Sequence, residues 1–246
     1  MKKLAIIGYG QMGRLIEKLA PEFDFEVCAK IDPILGNDLS DPKLIEADVC
    51  IEFTKPAVAH SNLTELVKQG QQVVCGTTGW YENLKELEKI VQENDTGFIY
   101  GSNFSFGMNL FYQIVRETCK LMNKAVDYDV FGLEYHHNKK QDSPSGTAKI
   151  LSDIVIKNID KKAKSQFEKL DRRIEKDEFH FASVRAGNIP GTHLIGFDSE
   201  ADSIELKHTA RNRNGLAIGA LKAARWIIDK KGFYNFAETF QNILGD

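Results

Sequence analysis

Over the first hundred residues, short apolar runs alternate with stretches of helical periodicity. Residues 4–7 form an apolar run that stops at a glycine, and similar runs fall at 25–31, 49–53, 72–75 and 98–100. Between them, residues 14–20, 57–68 and 81–92 carry helix-like patterns. Strands separated by helices of this length pair in parallel through right-handed crossovers, so this half predicts an α/β sheet of Rossmann type.

The pattern then changes. Residues 109–122 predict an amphipathic helix, 127–135 a strand, and 145–157 a helix with Ile150, Leu151, Ile154 and Val155 on one face. Residues 161–177 are charge-rich and predict a solvated helix or loop. Three strand-like runs follow, at 179–186, 192–197 and 203–208, joined by short links containing Gly or Asp. Such links predict antiparallel neighbours, hence an α+β layer rather than further Rossmann units. Residues 215–229 predict a helix with a small-residue face (Leu216, Gly219, Ala220, Ala223, Ala224) and an apolar end at Trp226–Ile228, expected to return to the first domain.

Composition narrows the classes. A chain of 246 residues, 42% apolar, suits one large domain or two smaller ones with a real core. A net charge of -3 argues against a nucleic-acid binder. No apolar run approaches the roughly 20 residues that span a bilayer. The start, Met1-Lys2-Lys3, leads into too short an apolar run for a signal peptide, so a cytoplasmic enzyme is expected. Cys28, Cys50, Cys75 and Cys119 form no C-x-x-C pair and predict buried thiols, with no disulfide and no metal.

Gly8-Tyr9-Gly10-Gln11-Met12-Gly13 is a G-x-G-x-x-G between an apolar strand and a helix. There the first glycine permits the tight turn, the second lets backbone approach a pyrophosphate, and the third allows close helix packing. The free N–H groups of the helix start then face the anion. Asp32, at the end of the second strand, lies near the spacing of about 20 residues expected of a ribose-binding acid, although turn capping is the competing reading. A carboxylate repels a 2′-phosphate, so Asp32-Pro33 favours NADH over NADPH, with Lys30 near enough to soften the preference. Gly76-Thr77-Thr78-Gly79 and Gly101-Ser102-Asn103-Phe104-Ser105 follow the fourth and fifth strands, where α/β sheets place ligands; either could equally be a capped turn.

The segment from Glu134 to Ala148 reads EYHHNKKQDSPSGTA: strand, polar loop, helix. His136, His137, Lys139 and Lys140 put several cationic donors in one loop, and Ser145-Gly146-Thr147 opens a helix whose free N–H groups add to them. Together they describe a pocket for carboxylates, with an imidazole that titrates near neutral pH. A basic surface loop beside a capped helix is the plain alternative. A metal held by His136 and His137 is disfavoured, because adjacent residues on a strand point to opposite faces. Arg211, Arg213 and His208 could line a cleft or anchor the last helix, and His60, His180 and His193 are assigned no chemistry.

On these residues the chain resembles the bacterial 4-hydroxy-tetrahydrodipicolinate reductase (dihydrodipicolinate reductase) family. The motif Glu134-x-His136-His137-x-x-Lys140-x-Asp142-x-Pro144-Ser145-Gly146-Thr147-Ala148 carries most of the likeness. Glu52-Phe53-Thr54-Lys55-Pro56, Gly76-Thr77-Thr78-Gly79, Ser102-Asn103-Phe104-Ser105, Arg185-Ala186-Gly187 and Gly191-Thr192-His193 support it. The resemblance implies a nucleotide-binding domain over 1–104, completed by 213–246, and a substrate-binding and oligomerisation domain with a mixed sheet over 105–212. It implies a homotetramer that reduces a cyclic dicarboxylate with NADH or NADPH. It also implies His136 and Lys140 as catalytic groups, with His137, Ser145, Gly146 and Thr147 on the substrate. Gly8 to Gly13, Asp32, Gly76 to Thr78 and Gly101 to Phe104 would bind cofactor. Two departures bear on nucleotide choice: Pro33 and Gln11 stand where many members carry Arg. Another two-domain dehydrogenase, or an NADH-sensing module without catalysis, would share the glycine loop but would not need His-His-x-x-Lys before Pro-Ser-Gly-Thr.

Overall fold

The computed structural model describes residues 1–245. The chain divides into two compact units, Met1–Phe106 together with the chain from Arg213 onward, and Gly107–Asn212. The fold is α/β with a second, mixed-sheet unit.

The first unit is built on a six-stranded parallel sheet. Its strands are β1 (Lys2–Ile7), β2 (Phe25–Ile31), β3 (Val49–Glu52), β4 (Val73–Cys75), β5 (Gly97–Tyr100) and β11 (Gly232–Asn235), in spatial order β11-β5-β4-β3-β1-β2. Helices α1 (Gln11–Leu19), α2 (Pro56–Lys68) and α3 (Leu84–Glu93) join successive strands. Both sheet faces are covered, so β1, β3 and β4 read as continuous apolar runs rather than alternating ones. One core gathers Leu4, Ile6 and Ile51 with Ala217, Ala220 and Ala224 of α6 (Asn214–Ile227); the other lies under α2 and α3. Helix α6 thus packs within the first unit. Two elements went unforeseen: β11, on the sheet edge beside β5, and α7 (Phe236–Gly245), which buries Phe236 and Phe240 in the same core. Strand order reverses between β2-β1 and β3-β4-β5, which makes the carboxyl ends of β1 and β3 the topological switch point.

The second unit carries α4 (Phe106–Met122, from its second residue), β6 (Asp129–His136), α5 (Gly146–Asn158), β7 (Lys164–Gln166), β8 (Glu178–Arg185), β9 (Thr192–Asp198) and β10 (Ser203–Thr209). The sheet order is β10-β9-β6-β8-β7. This corrects one expectation. Strands β9 and β10 are antiparallel neighbours, but β8 and β9 are not, because β6 lies between them, parallel to β8 and antiparallel to β9. The short link between β8 and β9 crosses the end of β6: Ala186 N–H donates to the His136 carbonyl at 2.9 Å, and Asn138 N–H to the Gly187 carbonyl at 3.2 Å. A further correction is β7, a short strand inside the stretch expected to be a solvated helix or loop. Helices α4 and α5 cover one sheet face and enclose Val130, Phe179, Phe181, Ile195 and Phe197.

Candidate active site

The glycine loop leaves β1 at the switch point. Gly8 adopts φ +90°, and a Cβ there would collide with the Phe53 carbonyl; one at Gly13 would collide with the Gly8 carbonyl. Only glycine lets the chain turn so sharply and helix α1 pack so close. Gly10, by contrast, faces open space, with nothing within 4 Å of a Cβ. It is the N-cap of α1, and no side chain caps it, so the helix's first N–H groups lack side-chain acceptors. Gly10, Gln11 and Met12 line an open cleft of about 350 Å³ with Phe53, Thr54, Pro56, Gly76, Thr77 and Thr78. An uncapped helix start beside a cleft at the switch point fits a dinucleotide pyrophosphate.

The structure thus brings two of the expected loops together, 8–13 and 76–78. The Thr77 hydroxyl is committed to the scaffold, accepting the Thr54 N–H at 2.7 Å, while Thr78 is exposed. The loop at 101–104 does not line that cleft. Gly101 N–H bonds to the Cys75 carbonyl at 3.3 Å, and the buried Phe104 ring packs on Phe236 with centroids 4.5 Å apart. Ser102 is exposed, and Asn103 Oδ1 accepts the Ser105 N–H at 2.9 Å.

Asp32 acts first on the backbone. Its Oδ2 accepts the Tyr9 N–H at 2.7 Å and its Oδ1 the Ile34 N–H at 3.0 Å, so it ties the glycine loop to the end of β2 and caps the following turn. Lys30, considered as a neighbour of Asp32, pairs with Glu17 at 3.0 Å and lies over the Tyr9 ring. Gln11 brings no charge, yet Arg213 Nη1 donates to its Oε1 at 2.5 Å, so a guanidinium from the start of α6 stands at the loop.

In the second unit, His136 ends β6, His137 follows it, and Lys140 lies in the turn beyond, where its N–H bonds to the His137 carbonyl at 3.1 Å. Lys140 Nζ pairs with Asp142 at 2.7 Å. Helix α5 begins at Gly146 with Ser145 as N-cap, its Oγ accepting the Ala148 N–H at 3.1 Å. Gly146 is open to solvent and Thr147 half-buried, whereas the Ser145 side chain is buried and engaged within the protein.

The anchor of this site is Glu134, which is fully buried. Its Oε1 accepts Ser145 N–H at 3.0 Å, the Ser183 hydroxyl at 2.7 Å and Arg185 Nη2 at 2.8 Å; its Oε2 accepts the Ser145 hydroxyl. His136 Nδ1 and His193 Nε2 each stand 3.4 Å from that same Oε2. Burial alone would raise this carboxyl, but hydrogen bonds from His193, Ser145, Arg185 and Ser183 outweigh it and hold Glu134 well below the usual carboxylate range. Burial pushes His136 down to about 4; Glu134 opposes that, while His193, Lys140 and Arg185 reinforce it. His136 is therefore neutral at pH 7 in the ligand-free protein.

Glu134, Arg185, Ser183 and His193 were not picked out as chemistry from sequence. Glu134 and Arg185 stood only as parts of motifs, and His193 looked isolated. The signal was a glutamate and a histidine inside otherwise apolar strands, which β6–β9 register pairs directly, Glu134 against His193. Glu134, His136 and His193 place one ligand atom each within 4.8 Å of one another, a geometry that could hold a metal ion. Yet both Glu134 oxygens already accept protein donors, and Arg185 already neutralises the charge, so the cluster reads as a charge-compensated polar network.

Comparison with known proteins covers nearly the whole chain. Residues 2–104 match the family described as dihydrodipicolinate reductase, N-terminus, and residues 107–240 match dihydrodipicolinate reductase, C-terminus. A 4-hydroxy-tetrahydrodipicolinate reductase of Christiangramia forsetii is 37% identical over 244 residues, 99% of this chain and 98% of that protein. One from Methanoregula boonei is 33% identical over 248 residues, 95% of this chain and 96% of that protein. Among solved structures, dipicolinate-bound dihydrodipicolinate reductase from Paenisporosarcina sp. TG-14 superposes with a TM-score of 0.77 at 21% identity, covering 97% of this chain and 99% of that one, a likeness of fold. No helix among the described residues is long and apolar enough to cross a membrane.

Proposed function

This chain belongs to the dihydrodipicolinate reductase family, and from that membership and the site's chemistry we infer that it reduces 4-hydroxy-tetrahydrodipicolinate to tetrahydrodipicolinate with NAD(P)H, in diaminopimelate and lysine biosynthesis. The observation that carries the reading within this chain is that Glu134 draws His136 and the Ser145 start of α5 together, with the Lys140 charge near enough to act on His136. A cyclic diacid suits that place. The Lys140 ammonium, His137 and the N–H groups of Gly146 and Thr147 bind its carboxylates, with Lys140 exchanging Asp142 for the ligand. Ser145 contributes by starting the helix rather than through its hydroxyl.

NAD(P)H, held at the glycine loop and the 76–78 loop, supplies the hydride when bound. The protein's part is to stabilise the negative charge that develops on the diacid and to return a proton to it. Lys140 does the first through its fixed charge and is a proton donor. His136 is neutral in the free protein; a bound dianion offsets the Lys140 and Arg185 charges facing it and raises its affinity for a proton.

NADH is the preferred nucleotide in this reading, because Asp32 is a carboxylate fixed at the end of β2 and Pro33 offers a 2′-phosphate no cation. Gly101 to Phe104 support the nicotinamide end as a packed strand terminus. A homotetramer forms through the sheet face opposite α4 and α5, where Phe131, Leu133 and Tyr135 lie beside His180, Ala182 and Val184 and are only partly covered. A cytoplasmic setting follows from the pathway. The test is loss of NADH absorbance when substrate is generated in situ by the preceding synthase. Turnover, with higher kcat/KM for NADH than for NADPH, supports the reading; cofactor binding without turnover points to a sensor, and a large NADPH advantage removes the assignment of Asp32.

A further inference from the structure

One oxygen of one buried carboxylate stands beside two imidazoles, and the second, His193 Nε2, also lies 3.3 Å from the Ser145 hydroxyl oxygen. Glu134 Oε2 lies 3.4 Å from His136 Nδ1 and 3.4 Å from His193 Nε2, and the two rings stand edge to face with centroids 5.1 Å apart. His136 Nδ1 is buried and closes no hydrogen bond, and the Glu134 oxygen 3.4 Å away is the carboxylate it faces. An ionised carboxylate only accepts, so a nitrogen that faces it carries the proton. On the far side of the ring, His136 Nε2 looks towards Gly191, where a Cβ would come within 3.1 Å of it. The glycine keeps that nitrogen accessible.

We propose that Glu134 is the positioning residue of this site: it holds His136 as the Nδ1–H tautomer, so that Nε2 gains and returns the reaction's proton, and holds His193 as the opposite, Nε2–H tautomer. The proposal rests on the function inferred above and deepens it. The step moves one proton and no electrons. The Nε2–H bond of the imidazolium breaks, the proton joins the anion left by hydride addition, and the electron pair stays on Nε2. Because Nδ1–H already faces Glu134, the ring becomes neutral without a tautomer change or a flip, the logic by which a buried acid orients a catalytic histidine. Through Oε1 the same carboxylate fixes Ser145 at the start of α5 and Arg185 at the end of β8, so the imidazole and the carboxylate-binding helix start share one anchor.

Nitrogen-15 NMR of the wild-type protein reads the tautomers directly. The expected result is Nδ1–H for His136 and Nε2–H for His193; Nε2–H at His136 overturns the proposal whatever the kinetics. In the pathway assay, Glu134→Gln is expected to lower kcat at least 30-fold with the KM for NADH within twofold. Glu134→Asp, which keeps the charge, is expected to recover at least a third of the lost activity on a logarithmic scale. Glu134→Gln turning over within twofold of wild type, or a well-folded Glu134→Asp no better than a folded Glu134→Gln, also overturns it. If Glu134→Gln does not fold, the wild-type tautomers decide. A wild-type protein that binds NADH but does not turn over the diacid defeats the functional reading alone, and the NMR result still judges Glu134.

Discussion

Two glutamates without exposed surface sit in strands of the two units, and their environments drive them in opposite directions. Glu52, at the end of β3 beneath the nucleotide loops, has the Thr54 hydroxyl and the Cys75 thiol as neighbours and no cation; burial raises its carboxyl. Glu134, in β6, has Arg185, two serine hydroxyls, a backbone N–H and two imidazoles, and is held strongly ionised. Two acids with no exposed surface, shifted in opposite directions, show that partners as well as depth decide how readily a buried acid ionises. Around Glu52 the partners are small neutral groups, whereas around Glu134 they form a network of charges.

The contrast can be broken, and the largest expected effect is catalytic. Lys140→Ala should lower kcat by roughly 10²–10⁴-fold, the size of one general acid, while the NADH Kd from fluorescence titration stays within twofold. Equal damage to cofactor binding would mean that the two regions are not separate in function. Next, Glu134→Gln should destabilise the fold by roughly 3–5 kcal/mol in urea titration, because Arg185 is left without its carboxylate.

Acid should act through the second unit. The folded-state values of His136 and Glu134 both lie below their ordinary ones, so the unfolded chain binds protons more readily there. The stability that neutral His136 confers is whole above pH 6.5 and declines as pH falls towards about 4; the share from Glu134 is lost below its ordinary 4.5. A fall of roughly 1–3 kcal/mol between pH 6.5 and 4.5, diminished in His136→Asn, is expected from urea midpoints. Glu52 has the other sign: its folded-state value is raised, so its contribution is present at acid pH and lost as pH rises. The smallest effect is then Glu52→Gln, which should change stability by less than about 1 kcal/mol in acid, where the raised carboxyl is protonated and the amide is its isostere. A loss as large as that of Glu134→Gln would erase the contrast.

The same difference explains what was legible in the sequence. The glycine loop was, because its geometry is set by neighbouring residues: Gly8 must turn, and Gly13 must let helix α1 pack close. Asp32 was legible as a position, with its cap on the Ile34 N–H as the competing reading, but its bond to Tyr9 was not, since that depends on where the glycine loop returns. His136 and Lys140 stood out as a motif. Their support did not, because Glu134, Arg185 and His193 meet only through the register of β6 with β8 and β9. The link at 186–191 looked like a hairpin, but its amide and carbonyl bond to the end of β6 rather than closing on each other. Local pattern cannot reveal a strand inserted from elsewhere in the chain. Strand β11 was missed for a related reason: four residues at a sheet edge owe their form to β5.

The most direct test of the account is transfer of label in a single turnover. With enzyme in excess over the diacid and deuterium on the transferable position of NADH, product formed by the wild type should carry one deuteron. Lys140→Ala should bind the labelled cofactor as tightly yet form labelled product at least a hundredfold more slowly. Labelled product appearing at the wild-type rate in Lys140→Ala would contradict the placing of the reaction at the histidine-lysine loop.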